Sequence, residues 1–134
     1  MIGGIIVSHG KLAEELLNAL AIILGEVVNI EAISIGWYDD IEESKKKINQ
    51  SIKRVDQKNG VLIFTDMFGG TPSNLSISFL KNNQVEIITG VNLPMLIKFV
   101  SLQRSNNLKD VSKKVVEQGK KNIHWASALL STKH

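Results

Sequence analysis

The chain is expected to fold as a doubly wound α/β domain, with a mostly parallel sheet of order 2-1-3-4 and helices on both faces. A short C-terminal antiparallel strand is expected at one edge. Three observations lead there. Short apolar runs alternate with longer amphipathic ones, the pattern of a parallel sheet whose strands are joined by helices. Ile2–Val7 is apolar on both faces apart from Gly3 and Gly4, and Val61–Thr65 reads the same way, as central strands covered on each side require. Right-handed crossovers then favour strand two on one side of strand one and strand three on the other.

The elements follow in order. Strand one is Ile2–Val7. Lys11–Leu24 places Leu12, Leu16, Leu17, Leu20, Ile23 and Leu24 at helical spacing and closes at Gly25. Strand two is Val28–Ile35. Asp40 and Glu43 form a capping box for a helix reaching about residue 56, which Asn59-Gly60 breaks. Strand three is Val61–Thr65, a short helix spans Pro72–Leu80, and strand four is Val85–Thr89. Leu93–Leu102 and Leu108–Lys120 are further helices, and Ile123–Ala126 is the expected edge strand. There is no internal repeat, low-complexity tract or long linker.

At 134 residues, 43% hydrophobic and 22% charged, the chain suits one domain over 1–134 with a substantial core. It contains no cysteine, which removes disulfides, thiolate catalysis and cysteine-ligated metals and accords with a reducing compartment. The opening MIGGIIVSHG has no basic leader and reads as a strand, not a signal peptide. No apolar run approaches the ~18 residues of a bilayer span. A soluble, cytoplasmic protein is expected.

The net charge of +3 raises the question of nucleic acid. Lys45–Lys47, Lys113–Lys114 and Lys120–Lys121 lie on helical patterns beside Glu or Gln. They read as solvated helix faces rather than a phosphate footprint, so no nucleic-acid partner is expected. The histidines at 9, 124 and 134 show no ligand spacing, so no metal is expected, and no motif asks for a cofactor.

With strands ordered 2-1-3-4, the switch point lies between the C-terminal ends of strands one and three, where such folds place ligands. Strand one runs out at Ser8-His9-Gly10 and strand three at Thr65-Asp66. Adjacent strands are ~4.8 Å apart, so the imidazole of His9 and the carboxylate of Asp66 come within hydrogen-bonding reach. That pairing suits a nucleophilic histidine: Asp66 accepts from Nδ1–H, fixes the tautomer, and leaves Nε2 to attack phosphorus. After Asp66 come Met67-Phe68-Gly69-Gly70-Thr71-Pro72-Ser73-Asn74. The glycines allow a tight turn, Thr71 is the expected N-cap and Pro72 the first helical residue, so backbone amides face an anion there. Gly10 does the same at the first helix, and Gly90-Val91-Asn92-Leu93-Pro94 is expected as a third wall.

SHG after strand one, DMFGGTPSN after strand three and GVNLPML after strand four resemble enzyme IIA of the mannose-type sugar phosphotransferase system, over nearly the whole chain in order and spacing. The resemblance implies that His9 is phosphorylated by the histidine phosphocarrier protein, with Asp66 as its carboxylate partner and Gly70 with Thr71 as the phosphate-binding turn. It implies that the phosphoryl group passes to a IIB component and so, indirectly, to a membrane sugar permease. The chain stops without a fused IIB domain, which implies a separate IIB polypeptide. It also implies a homodimer exchanging its last strand, here Asn122–Ala126.

Other readings stand beside this one. Gly4–Lys11 superficially resembles a nucleotide phosphate loop, but its glycines are six apart and Leu12 replaces the required Ser or Thr. A response-regulator receiver would carry its phosphoaspartate at Asp66, but Ser8 and His9 stand where magnesium-binding acids are needed. The phosphotransfer subunit of dihydroxyacetone kinase shares a strand-one histidine, although DMFGGTPSN fits the mannose-type branch better. A purely regulatory IIA-like phosphoprotein would use the same histidine. Phe68 is read as covering the site and meeting a partner, Asn92 as either starting its helix or joining the site, and Trp37 and Tyr38 as loop packing.

Overall fold

A computed structural model describes residues 1–131; His134 lies outside the described residues. The elements are β1 Gly3–His9, α1 Leu12–Leu24, β2 Ile30–Ile35, α2 Ile41–Val55, β3 Val61–Thr65, α3 Thr71–Ile77, β4 Val85–Thr89, α4 Leu93–Leu102, α5 Leu108–Lys121 and α6 Ala126–Ser131. The four strands are parallel in the order β2-β1-β3-β4, as the sequence predicts. No helix among the described residues is long and apolar enough to cross a membrane.

Alternation along the central strands divides the core in two. Ile2 and Ile6 of the β1 segment, with Leu62 and Phe64 of β3, pack under α1, α4 and α5 against Leu20, Leu96, Phe99 and Val115. Phe64 and Phe99 meet edge-on at 5.2 Å and 73°, the arrangement favoured by ring quadrupoles. On the opposite face Ile5, Val7, Val61 and Ile63 pack under α2 and α3 with Ile48, Val55 and Leu75. Because both faces are buried, a slip of one residue would still bury apolar side chains. Gly3 and Gly4 break that degeneracy. A Cβ on Gly3 would lie 2.5 Å from the Val55 carbonyl oxygen, and one on Gly4 would lie 2.7 Å from the Phe99 ring. Only this register sets the two side-chain-free positions under the end of α2 and under Phe99.

β2, α2 and α3 differ from their expected form for reasons visible in their contacts. β2 begins at Ile30, not Val28, because its ladder with β1 starts at Gly4↔Ile30 and Val28 has no strand residue to pair with. Asp40 caps α2 by accepting from the Glu42 N–H at 3.1 Å, while Glu43 leans to Lys46 at 3.9 Å, so the Asp40–Glu43 box does not close. α3 stops at Ile77, not Leu80. Ser76 and Ser78 donate their hydroxyls to the carbonyls of Pro72 and Leu75, and Phe79 and Leu80 make tighter three-residue bonds, which ends the α-helical ladder.

The expected edge strand does not form within the chain. Residues 123–125 lie outside regular structure, and Ala126 opens α6, whose first bond runs from Leu129 N–H to the Trp125 carbonyl. Alanine and leucine from 126 to 130 favour a helix, and although Ile123 lines a cavity with Ile88 and Thr89 of β4, no strand pairing forms between the segment and β4.

Gly3→Ala is expected to destabilise the fold by about 1–3 kcal/mol, the cost of overpacking a close backbone contact. Denaturant midpoints measure it; an unchanged midpoint would mean that the end of α2 moves aside freely.

Candidate functional site

β1 extends two residues beyond its apolar run because Ser8 and His9 pair with Ser34 and Ile35 of β2. On its other side the register runs to Val7↔Thr65, so His9 and Asp66 both stand at the C-terminal rim. Ser8 turns inward. Its fully buried hydroxyl accepts from the Ala13 N–H at 2.7 Å and lies within donating range of the His9 and Gly10 carbonyls, at 3.2 and 3.3 Å. Lys11, the N-cap of α1, makes no side-chain cap, so Ser8 supplies from the strand what the cap lacks. Sequence reasoning did not single out Ser8; a small hydroxyl ending an apolar strand just before a helix is the signal that would have found it.

His9 and Asp66 meet as the switch-point argument predicts. Nδ1 of His9 lies 2.7 Å from Oδ2 of Asp66, and the His9 main-chain N–H donates to the same oxygen at 2.9 Å. Oδ1 accepts from the Met67 N–H at 2.9 Å. Burial raises the Asp66 carboxyl, but the His9 backbone bond, the His9 ring and the Met67 bond together outweigh it and hold the group below the ordinary carboxylate value. With Asp66 ionised, the proton between the two groups sits on Nδ1. Nε2 has no bonding partner among the described residues. The Asp66 side chain is only 11% exposed, the His9 side chain 49%; the acid is covered while the ring remains reachable.

Gly70 lies directly against the imidazole. A Cβ there would come within 2.6 Å of Cε1 and 3.0 Å of Nε2, so the absence of a side chain is a condition of the ring's position. α3 correspondingly starts one residue earlier than expected: Gly70 is the N-cap, its carbonyl accepting from the Asn74 N–H at 2.9 Å, and Thr71 is the first helical residue. Thr71 therefore caps nothing. It lines a cavity of about 560 Å³ beside the ring, with His9, Gly10, Ile35, Trp37 and Ile41.

The segment after β4, expected as a third wall, does not line that cavity. Asn92 accepts from the Met95 N–H at 3.0 Å and donates to the Gly119 carbonyl at 3.1 Å; it caps α4 and ties it to α5, away from that cavity. The wall is instead the loop from β2 to α2. Strand order explains this: β2 adjoins β1, whereas β4 lies two strand spacings, ~9.6 Å, from it. Trp37 and Tyr38, expected to pack within this loop, are 91% and 94% exposed, and Phe68 is 74% exposed. Among the described residues no group of three or more His, Cys, Asp or Glu could hold a metal.

A parallel α/β fold with a histidine–carboxylate pair at its switch point and an open ring nitrogen presents a candidate nucleophile where such folds bind their ligands. Comparison with known proteins makes this specific. The family model EIIA-man, described as PTS system fructose IIA component, matches residues 3–116. The PTS system fructose-specific EIIA component of Bacillus subtilis (strain 168) is 35% identical over 112 residues, covering 83% of this chain and 77% of that protein. The PTS system mannose-specific EIIAB component of Escherichia coli (strain K12) is 34% identical over 95 residues, 70% of this chain and 29% of that longer protein. The crystal structure of phosphotransferase system component EIIA from Streptococcus agalactiae superposes with a TM-score of 0.86 at 25% identity, covering 96% of this chain and 99% of that one. The chain belongs to the EIIA-man family and is an EIIA-type sugar phosphotransferase component. This membership displaces the nucleotide-binding and receiver readings.

Asp66 gives a pH signature. Its folded value lies below its unfolded one, about 3.9, so its stabilising contribution is present above that value and is lost as pH falls through the folded value. The stability difference between wild type and Asp66→Asn is expected to be present at pH 5 and to shrink below about pH 4. Urea midpoints across that range measure it; a difference that grows on acidification would contradict the assignment.

Proposed function

We propose that His9 accepts a phosphoryl group from the histidine phosphocarrier protein and passes it to a IIB component, supplying sugar uptake through a membrane permease. The observation that carries this reading is the 2.7 Å contact between Nδ1 and Asp66 alongside an unpartnered Nε2. In the forward step the Nε2 lone pair forms a new bond to phosphorus as the donor's N–P bond breaks, and that bonding pair returns to the donor nitrogen. No proton needs to leave His9. The proton stays on Nδ1, donated in a hydrogen bond to Asp66, whose charge steadies the ring as it becomes cationic. The second step repeats this toward the acceptor, with His9 keeping the N–P electron pair. Gly70 and Thr71, by family resemblance and by their position at the ring and cavity, bound the phosphoryl oxygens together with Gly10.

In this reading residues 1–134 act as one IIA unit in the cytoplasm, paired with a second copy. Support for the pair comes from the C-terminal segment, where Ile123 is 77% and Trp125 78% exposed and where no strand among the described residues covers the outer edge of β4. Exchange of 122–126 between copies, as the family resemblance implies, would bury both.

Incubation with phosphoenolpyruvate, enzyme I and the phosphocarrier protein should add one acid-labile, alkali-stable phosphoryl group to the peptide containing His9, read by mass spectrometry. His9→Ala is expected to abolish labelling with the fold intact; label persisting in that variant would overturn the assignment. Asp66→Ala should keep the nucleophile but slow transfer by about 10²–10⁴-fold, measured by rapid quench. An unchanged rate would remove Asp66 from the mechanism.

A further inference from the structure

We propose that the Gly36–Asp39 turn is the docking element for the protein that delivers the phosphoryl group. In this proposal Trp37 and Tyr38 are its apolar anchors, and the acidic start of α2 meets a basic surface on that partner. The inference rests on the phosphocarrier reading above and adds to it where the donor binds.

The turn is built to hold its two rings outward. The Asp39 carboxylate accepts from the Gly36 N–H at 2.7 Å, and the Asp39 N–H returns a bond to the Gly36 carbonyl at 3.2 Å. A Cβ on Gly36 would lie 2.9 Å from the Asp39 carboxylate, so the glycine permits this closure. Trp37 and Tyr38 sit between the two bonded residues and are almost wholly in water, at 91% and 94% exposure. Scattered exposed hydrophobics are ordinary. Two adjacent large aromatics on a closed turn are different: the backbone that carries them is already ordered, so docking them costs less than ordering a free loop.

Their place matters as much as their exposure. Trp37 and Ile41, itself 57% exposed, line the same cavity as His9. Transfer between two proteins requires the incoming phosphorus to approach Nε2 to about 3–3.5 Å. A donor protein that comes so close must cover the rim of that cavity, and this turn is the rim on the β2 side. Phe68, 74% exposed, stands after β3 on the other side of His9.

The charge on this rim selects the kind of partner. Asp39, Asp40, Glu42 and Glu43 fall together on the turn and the first turn of α2, while Lys45–Lys47 follow about one helical turn further along α2. The occupant is therefore a protein with an apolar spot beside its own phosphorylated residue and basic side chains around it.

The test is steady-state transfer from the phosphorylated phosphocarrier to the full chain, varying donor concentration and salt. Trp37→Ala with Tyr38→Ala is expected to raise the donor KM at least about ten-fold, with kcat changed far less. Raising the salt should raise the wild-type KM, and Glu42→Gln with Glu43→Gln should flatten that dependence. An unchanged KM in the aromatic variant, or a fall in kcat without a change in KM, would overturn the docking assignment while leaving His9 labelling intact. A wild-type chain that accepts nothing from the phosphocarrier would instead sink the parent reading, and the docking proposal with it.

Discussion

The hydrogen bond between His9 Nδ1 and Asp66 Oδ2 joins residues fifty-seven positions apart in the chain, and it exists only because β1 and β3 are neighbours in one register. Shifting β1 by one residue against β3 would put Ser8 or Gly10 where the ring now stands. The two glycines of β1 hold against such a slip, since one fits beneath Val55 and the other beneath Phe99. Packing on both faces of the sheet therefore sets the geometry of a contact at its rim. Gly70 adds a further condition from α3, because the ring occupies the space a side chain would need.

The site combines a covered acid with an exposed base. Asp66 is tied down by three hydrogen bonds and remains charged in spite of its burial. His9 lines an open cavity and keeps its ring half exposed. This suits a carrier. The partial cover over the acid limits screening of its charge, so its influence falls mainly on the ring. In the proposed carrier role the ring stays accessible enough to load and unload. A deeply enclosed nucleophile would favour neither exchange.

The parts of the fold legible in the sequence are those governed by local pattern and by general rules of topology. β3, β4 and α4 have the predicted bounds, because apolar runs bracketed by glycine, asparagine or proline leave little choice of ends. The order β2-β1-β3-β4 followed from handedness, and the meeting of His9 with Asp66 followed from that order. The misplacements arise where residues compete. Thr71 and Gly70 both suit an N-cap, and contact with a distant ring favours the glycine. The serines of α3 draw on helix carbonyls that periodicity assigns to the ladder. The third wall was sought after β4, although adjacency to β1 belongs to β2.

From residues alone came the class of fold, the pairing of imidazole with carboxylate, and the family to which DMFGGTPSN points. These depend on side-chain type and spacing, which the chain displays directly. Tertiary structure decided how Ser8 supports the first helix, why Gly70 must be glycine, and that Trp37 and Tyr38 face water beside the site. Each of these depends on what lies across a gap from the residue, on another strand or loop, and distance through space is not written in distance along the chain.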